Sequence, residues 1–436
     1  MTVRSRWSRR QILRSAARAV VAGPTVITSF SLFGQDRPVP SNRLTLGAIG
    51  VGGMGRGDLG DFLGRGEIQA VVVCDPDANH ASEAKKMVEG RYAQDKASGR
   101  FKGCDVVKDF REVTRRPDVD LVMIATPDHW HALPVIDAAR HGKDIHCQKP
   151  LSLTVAQGRA MCDAVHRYGR VFQTGSQQRS DRNFRFACEL VLNGRIGTLR
   201  EMHVGLPTGG SCEPLKPEPV PAHFDYEWWL GPAPWAPYNG KRTHWNFRWI
   251  LDYSGGQLTD WGAHHIDIAQ WGNGTSHSGP TEFEGAGVFP KEGDWDAAIH
   301  YNITCTYPNG VKMYVADGKT YPNGVKFVGD RGWVFVTRGR IDAEPKSILQ
   351  SVIGPNEIHL HESNDHKGDF LRAVRTRGET VAPIENAHRT ISVAHICNIA
   401  MKLGRKLSWD PVKERFVNDA EADRLLTRAM RPPWHL

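Results

Sequence analysis

A glycine-rich segment near the start of the chain has the spacing of a dinucleotide-binding turn. Gly50, Gly52 and Gly55 form the pattern Gly-x-Gly-x-x-Gly, directly after an apolar run and at the start of a helical pattern. The first glycine permits a tight turn, the second lets the backbone approach a pyrophosphate, and the third permits close helix–strand packing. Asp75 follows at the end of the next apolar run, where a carboxylate can accept both hydroxyls of a ribose. The pattern predicts an NAD site, and the nearby Arg56 leaves NADP open.

Three further residues have side chains suited to chemistry on a hydroxyl group. Lys149 ends the fourth predicted strand, at the sheet edge where a nicotinamide would lie. Asp260 and His264 are four residues apart in a predicted helix, so they share a face and could both reach one hydroxyl. A histidine titrates in the range needed to remove a proton near neutral pH. The alternative interpretation is that Lys149 is a surface lysine, Asp260 caps a helix and His264 is a packed core histidine.

Alternating strands and helices must position these residues. Apolar runs that end in turns or polar residues alternate with helical patterns throughout the first part of the chain. The runs cover residues 44–49, 68–74, 120–125, 144–147 and 171–174, and the helical patterns cover 55–63, 78–92, 131–141 and 155–168. This alternation predicts a parallel sheet with helices on both faces, which binds ligands at the carboxyl ends of its strands. We therefore expect an α/β protein with an N-terminal Rossmann dinucleotide-binding domain over residues 42–175.

The alternation of predicted strands and helices ends at about residue 198. A Pro- and Trp-rich stretch and a predicted helix over 257–271 precede five strand-like runs, at 282–289, 297–307, 311–317, 324–329 and 332–337. The segment Tyr-Pro-Asn-Gly-Val-Lys occurs at 307–312 and again at 321–326, and Asn-Gly between apolar runs predicts two turns of an antiparallel meander. Helices are predicted over 366–376 and 387–403. These patterns indicate a C-terminal α/β domain with a mostly antiparallel open sheet over residues 176–410, followed by a tail over 411–436.

Longer motifs surround the residues singled out above. They are Ile-Gly-Val-Gly-Gly-Met-Gly at 49–55, Ala-Thr-Pro-Asp-His-Trp-His at 125–131, Gly-Lys-Asp-Ile-His-Cys-Gln-Lys-Pro at 142–150 and Gly-Gly-Gln-Leu-Thr-Asp-Trp-Gly-Ala-His-His-Ile-Asp at 255–267. Together they resemble the Gfo/Idh/MocA oxidoreductases over nearly all of the chain after residue 42. The resemblance implies an NAD(P)-dependent oxidoreductase that acts on a hydroxyl of a sugar or sugar derivative by hydride transfer.

The resemblance also implies roles for individual residues. Lys149 would hydrogen-bond the reacting hydroxyl and stabilise the alkoxide, Asp260 would orient the substrate, and His264 would accept the hydroxyl proton. The expected cofactor contacts are Gly50, Gly52, Gly53, Met54, Gly55, Asp75, Thr126, Pro127, His131, Gln148 and Lys149. Gln148 departs from the family, which has a glutamate before Lys-Pro. A glutamate would raise the pKa of the lysine, so the rate and pH optimum are expected to differ from those of the family.

Aromatic residues are dense between residues 228 and 253. They are Trp228, Trp229, Trp235, Tyr238, Trp245, Trp249 and Tyr253. Aromatic faces can stack on the C–H faces of sugar rings, although several of these residues would simply anchor a long loop. The expected substrate contacts are Trp245, Arg248, Trp249, Tyr253 and His265, with His244 and Asn246 as further polar candidates.

Histidine and cysteine patterns indicate no metal centre. His129 and His131 flank Trp130, but a metal site needs three or four convergent ligands. The family resemblance places this segment beside the cofactor. The eight cysteines include no Cys-x-x-Cys pair, which argues against a zinc ribbon or a thioredoxin motif. We therefore expect no metal and buried free thiols.

Positive charge is concentrated at the N-terminus. The first 34 residues contain six arginines and no acidic residue, so 8 − 6 leaves a formal charge of +2 for the remainder. A nucleic-acid-binding protein would carry its basic excess on the folded body, so this class is excluded. Arg9 and Arg10 precede a weakly apolar stretch, which resembles a twin-arginine (Tat) export signal. Residues 1–41 are expected to be a signal and linker that recruit the Tat machinery, and the alternative is a basic amphipathic helix.

Export has a consequence for the reaction. An exported enzyme, periplasmic or otherwise, meets no obvious pool of NAD, so the cofactor is expected to travel bound and stay bound. Turnover then needs a second substrate that reoxidises NADH, or a redox-neutral cycle. One alternative is therefore a redox-neutral NAD-dependent glycoside hydrolase or lyase that works through a transient keto-sugar. A separate alternative, from a different class, is a non-catalytic sugar-binding protein on the same fold. The family resemblance further implies a homo-oligomer, either a dimer or a tetramer.

Overall fold

The first part of the chain forms a six-stranded parallel sheet in the order β3-β2-β1-β4-β5-β6. The computed structural model describes residues 43–436, so the predicted export signal lies outside the described residues. The strands are β1 (Leu44–Ile49), β2 (Ile68–Cys74), β3 (Asp105–Val107), β4 (Leu121–Ile124), β5 (Asp144–Cys147) and β6 (Phe172–Thr174). The strand order reverses between β1 and β4, and such a switch point opens a crevice at the carboxyl ends of the strands.

The four helices that the sequence predicts in this part are present, with differences of one or two residues at their ends. The helices are α1 (Gly53–Leu63), α2 (Ala78–Arg91), α3 (Ala93–Ala97), α4 (Arg111–Thr114), α5 (Ala132–Arg140) and α6 (Val155–Arg167). The two short helices, α3 and α4, were not predicted. Side chains alternate along β4: Leu121 and Met123 pack into one apolar core, and Val122 and Ile124 pack into the other. Both faces of the sheet are therefore buried, as expected for a doubly wound fold.

The second sheet has nine strands in the order β13-β12-β11-β7-β10-β9-β8-β14-β15. They are β7 (Leu199–Leu206), β8 (Glu282–Val288), β9 (His300–Thr306), β10 (Lys312–Asp317), β11 (Gly324–Gly329), β12 (Trp333–Thr337), β13 (Arg340–Glu344), β14 (Leu407–Asp410) and β15 (Arg415–Phe416). All pairings are antiparallel except that of β10 with β7. The predicted mostly antiparallel sheet is confirmed.

One of the two predicted meander turns is wrong. The Asn-Gly at 309–310 joins the antiparallel neighbours β9 and β10. The second copy of the repeat, at 321–326, leads instead from β10 across to β11, because β7 lies between these two strands. A strand that is distant in sequence has inserted into the meander, and the local turn signal carries no information about that.

Helices of the second part pack on this sheet and extend into the first domain. They are α7 (Arg182–Leu192), α8 (Tyr226–Leu230), α9 (Gln257–Asp260), α10 (Gly262–Gly272), α11 (His366–Thr376), α12 (Ile384–Leu403) and α13 (Ala420–Asp423). Phe370 and Leu371 of α11 are buried in the same core as β1 and β2. The first domain is therefore completed by a helix from the end of the chain, which the predicted boundary at residue 175 excludes.

The C-terminal residues 411–436 also pack on the folded body rather than forming a free tail. β15 pairs with β14, and the indole of Trp434 lies 4.8 Å from that of Trp130 and 5.4 Å from that of Trp228, centre to centre. All eight cysteines are free, and all but Cys212 are buried, as predicted. Within residues 43–436, no helix has both the length and the apolar character required to cross a bilayer.

Candidate active site

A cavity of about 570 Å³ opens at the carboxyl ends of β1 and β4, between the two domains. Gly50 has φ +76°, and a Cβ there would lie 2.6 Å from the backbone nitrogen of Thr126. A Cβ at Gly55 would lie 2.0 Å from the carbonyl oxygen of Gly50, whereas one at Gly53 would meet no atom within 4 Å. Glycine is thus required at the turn, and the next residues leave open space at the start of α1. These features fit a pyrophosphate held at a helix N-terminus.

The carboxylate of Asp75 is held at the rim of this cavity. One oxygen accepts the N–H of Val51 at 2.8 Å, and the other accepts the N–H of Asp77 at 2.9 Å. Each oxygen retains a lone pair for a ribose hydroxyl. Arg56, the residue that left NADP open, donates to the carbonyl of Val51 and pairs with Glu83 at 3.1 Å. The arrangement fits the adenosine ribose of NAD.

Lys149 and Asp260 come together in the cavity wall from the two domains. The ammonium Nζ of Lys149 lies 2.5 Å from Oδ1 of Asp260, and both side chains are largely buried. Arg248 Nε lies 3.5 Å from the other oxygen of Asp260. Burial alone would raise the pKa of Asp260, but the charges of Lys149 and Arg248 outweigh it, and the pKa lies below its usual value. A carboxylate acceptor and two cations therefore face the cavity together.

His264 is buried and is not among the residues that line the cavity. The predicted helix is divided at Trp261 into α9 and α10, and Trp261 itself keeps right-handed helical dihedral angles, with φ −85° and ψ −27°. The Nδ1 atom of His264 has no hydrogen-bond partner in the described part of the chain. Burial lowers the pKa of His264 well below its usual value, and the charges of Lys149 and Arg338 lower it further. Burial thus favours the neutral form of the imidazole, and Nδ1 is available for a proton.

Most of the remaining predicted cofactor residues line the cavity, and His131 does not. The lining residues include Gly52, Gly53, Met54, Thr126, Pro127, Gln148 and Lys149. The ring nitrogens of His131 face the carbonyl oxygens of Pro150 at 2.8 Å and Thr126 at 2.9 Å. His131 thus positions the loops at the cavity without facing it. His129 is likewise buried, and its Nε2 lies 3.0 Å from the carbonyl oxygen of Trp229.

Gln148 is turned away from the ammonium group beside it. Its amide nitrogen donates to Oδ2 of Asp58 in α1 at 2.7 Å, and Lys367 in α11 donates to the other oxygen of Asp58 at 2.7 Å. A glutamate at position 148 would bring a second carboxylate against Asp58 in a buried place. The glutamine is therefore matched to its neighbours, and its side-chain oxygen also accepts the backbone N–H of Lys149 at 3.2 Å.

The five predicted substrate residues separate into two groups. Trp245 and Arg248 line the cavity, with the guanidinium carbon 3.8 Å from the indole centre. Tyr253 is buried against Trp229, and Trp249 packs on Trp295. His265 is buried as well and donates to the carbonyl of Gly205 in β7 at 2.9 Å. Tyr253, Trp249 and His265 thus pack against neighbouring residues and are not among those that line the cavity.

Asp128 is a site residue that the sequence reasoning missed. It lines the cavity, is buried, and accepts a hydrogen bond from the hydroxyl of Ser254 at 2.5 Å. Burial raises its pKa to about 7; the Ser254 hydrogen bond opposes this shift, and the charge of Asp260 adds to it. Perturbed carboxyl groups in clefts are candidates for functional sites. Its position in the motif at 125–131 was the available signal.

Comparisons with known proteins agree with this geometry. Residues 44–176 match the family described as "Oxidoreductase family, NAD-binding Rossmann fold", and residues 208–436 match "Oxidoreductase family, C-terminal alpha/beta domain", both of the Gfo/Idh/MocA group. An uncharacterized oxidoreductase of Bacillus subtilis is 27% identical over 220 residues, which cover 49% of this chain and 53% of that protein. A myo-inositol 2-dehydrogenase of Thermotoga maritima is 31% identical over 119 residues, covering 27% and 33%.

The alignments span about half or less of these curated relatives. Among solved structures, the WlbA dehydrogenase of Bordetella pertussis, in complex with NADH and UDP-GlcNAcA, has a TM-score of 0.61 at 15% identity. That match covers 84% of this chain and 99% of the other, and at this identity it shows the shared fold. The two-domain fold agrees with the two matched family models. The chain is a member of the Gfo/Idh/MocA oxidoreductase family, with an NAD-binding Rossmann domain at residues 44–176.

Proposed function

We propose that this protein is an NAD-dependent oxidoreductase that removes hydride from a hydroxyl-bearing carbon of a sugar or sugar derivative. The observation that carries the proposal is the 2.5 Å pair of Lys149 and Asp260 in the wall of the dinucleotide cavity. A lysine that was exposed to water at a strand end would need no functional explanation. A largely buried ammonium group, held by a carboxylate from the other domain beside a cofactor site, is suited to a reacting oxygen.

The side chains divide the chemistry of the hydroxyl between them. NAD, when bound, supplies the hydride acceptor. Lys149 donates to Oδ1 of Asp260 and, at 3.4 Å, to its backbone carbonyl, which leaves one proton to donate to the substrate oxygen and stabilise it as it becomes an alkoxide. Asp260 accepts from the hydroxyl and orients it. His264 is proposed as the proton acceptor on the basis of the family resemblance; it does not line the cavity, and its Nδ1 has no hydrogen-bond partner within residues 43–436.

The character of the cavity supports a carbohydrate as substrate. Its wall presents aromatic faces from Trp228, Trp229 and Trp245 beside the charged groups of Arg248 and Asp260. A sugar ring offers C–H faces that can lie on aromatic rings and hydroxyls that can bond to charged groups. The relative named a myo-inositol 2-dehydrogenase and the structural neighbour solved with UDP-GlcNAcA are consistent with a polyhydroxylated ring.

The proposal includes export with the cofactor bound. The twin arginines Arg9 and Arg10 support a Tat export signal. A protein that is exported in its folded state can carry bound NAD with it. Self-association into a dimer or tetramer is a further part of the proposal and rests on the family alone.

The first experiment is an absorbance spectrum of protein purified without added nucleotide, with mass spectrometry after denaturation. We expect stoichiometric NAD or NADH.

The same protein is then mixed with a panel of aldoses, cyclitols and glycosides while absorbance is followed at 340 nm. A change that is lost in Lys149→Ala, and kept in the exposed-lysine control Lys86→Ala, supports the oxidoreductase. Glycoside cleavage without net reduction would favour the redox-neutral alternative. No nucleotide and no turnover with any sugar would contradict the proposal.

A further inference from the structure

A cluster of three histidines surrounds one buried carboxylate at the rim of the cofactor cavity. Oδ2 of Asp77 lies 4.0 Å from Nδ1 of His80, 3.9 Å from Nε2 of His223 and 3.8 Å from Nε2 of His244. The ligand atoms of Asp77, His80 and His244 all lie within 4.8 Å of one another. Asp77, His80 and His244 therefore form one group of potential ligands, and His223 approaches the same carboxylate oxygen from a separate segment.

The fold assembles this cluster from both domains. Asp77 caps α2, accepting the N–H of Asn79 through Oδ1 at 2.9 Å, which leaves Oδ2 for the histidines. An isolated antiparallel bridge joins Asp77 to Phe224, and the N–H of Ala78 donates to the carbonyl of His223 at 2.8 Å. This bridge brings His223 alongside Asp77. The cluster thus lies where the long loop of the second domain meets the end of β2.

The backbone at His244 is in an unfavourable conformation. Its φ is +51°, in the left-handed region, where a residue other than glycine costs roughly 1–2 kcal/mol. Such strain tends to occur at ligand clamps and active sites, where the surroundings maintain it. Here the conformation places the imidazole against the ring of His80, at 5.0 Å between centres.

The three imidazoles lie near carboxylates, and the ring of His244 also packs against Phe224 at 5.1 Å between centres. Within residues 43–436, none of the three imidazoles makes a hydrogen bond, and each approaches Asp77 at a distance too long for one. The nearest further charge is the carboxylate of Asp75, 3.7 Å from Nδ1 of His80. The carboxylates of Asp75 and Asp77 would repel an anion such as a ribose phosphate, whereas they would both attract a cation.

We propose that Asp77, His80, His223 and His244 bind a divalent transition-metal ion of the zinc class. Three imidazoles and one carboxylate form a common tetrahedral donor set for Zn²⁺, with bonds of about 2.0–2.2 Å. Such bonds imply separations of about 3.3 Å between ligand atoms, so the observed approaches need to shorten by about 0.5 Å. His223 and His244 are partly exposed and free to rotate by this amount. The ion would link the two domains beside Asp75 and fix the loop that carries Trp245.

The test uses the full chain without a histidine tag. The protein is treated with a chelator, dialysed and titrated with Zn²⁺ alone and with Co²⁺ alone. We expect one ion per chain, the visible absorption of tetrahedral Co²⁺, and a rise in melting temperature that increases with metal concentration. His244→Ala and Asp77→Asn are each expected to weaken binding at least tenfold. Asparagine caps a helix about as well as aspartate, so Asp77→Asn removes the anionic ligand while retaining the start of α2.

The matched control is His141→Ala, which removes an exposed imidazole that lies 3.5 Å from the Asp137 carboxylate, away from the cluster. Binding in this variant should equal that of the unmodified chain. The proposal is overturned by a chain that takes up no stoichiometric Zn²⁺ or Co²⁺, or by binding that persists unchanged in His244→Ala and Asp77→Asn. It is also overturned if His80→Ala weakens NADP binding while no metal binds, since the cluster would then serve an anion.

Discussion

The carboxyl group of Asp128 provides a direct test of the electrostatics at the cofactor cavity. Its pKa in the folded protein is about 7, because the side chain is buried. An aspartate in an unfolded chain has a pKa of about 3.9, so the difference is about 3 units, or about 4 kcal/mol at about 1.4 kcal/mol per unit. The folded protein keeps a proton between about pH 4 and 7 that the unfolded chain releases. Stability due to this group therefore falls as pH rises through that window and is lowest above pH 7.

The variant Asp128→Asn removes the ionisation and keeps the hydrogen bond. Its amide oxygen can accept from the hydroxyl of Ser254, which lies 2.5 Å from the carboxylate in the native chain. We expect the variant to be more stable than the native chain at pH 8, by up to about 4 kcal/mol. The two proteins should approach equal stability near pH 4, where the aspartate is protonated in both the folded and the unfolded states.

Denaturant unfolding at pH 5 and pH 8 measures the difference, with and without added NAD. An infrared band of a protonated carboxylic acid, present at pH 5 and absent in Asp128→Asn, reports the same group directly. Asp61→Asn, at an exposed position of α1, is the control and should not alter the pH dependence. Parallel stability profiles for the native chain and Asp128→Asn between pH 5 and 8 would refute the argument from burial.

Three further sets of substitutions test the role of Lys149, the buried amide of Gln148 and the predicted export signal. Lys149→Ala should lower kcat by about 10²–10³-fold, the effect of losing one donor to a developing oxyanion, measured with the sugar identified in the first assay. Gln148→Glu should destabilise the fold by on the order of 2 kcal/mol, because it places a carboxylate against Asp58, and Asp58→Asn in the same chain should restore stability. Replacing Arg9 and Arg10 by lysine should retain the protein in the cytoplasm of a Tat-competent host, measured by cell fractionation.

Each of these has an outcome that would contradict it. Unchanged turnover in Lys149→Ala, with Lys86→Ala as the matched surface control, would remove the lysine from the mechanism. Equal losses in Gln148→Glu with and without Asp58→Asn would show that the two side chains do not interact. Export that continues after both arginines are replaced would assign the N-terminal pattern another role.

Local sequence patterns determined the order of secondary structure and the cofactor turn. The β1 and β2 ranges are those predicted, and α11 agrees to the residue. Strand and helix periodicity and the Gly-x-Gly-x-x-Gly spacing are short-range signals, since each depends on residues within one turn or one strand. Lys149 was likewise located by its position at the end of a strand. The family resemblance gave Lys149 and Asp260 separate roles at one substrate hydroxyl, and only the structure shows the 2.5 Å contact between them.

Tertiary packing decided features that depend on distant segments. The insertion of β7 between β10 and β11, and the completion of the first core by α11, join residues separated by more than a hundred positions. The burial of Tyr253 and His265 and the turning of Gln148 toward Asp58 depend on which neighbours arrive. The same is true of Asp128, whose identity is visible in the sequence but whose pKa is set by burial. Residue type and spacing thus determined the available chemistry. The long-range contacts decided which groups face the cavity, because desolvation and convergence are properties of the assembled fold.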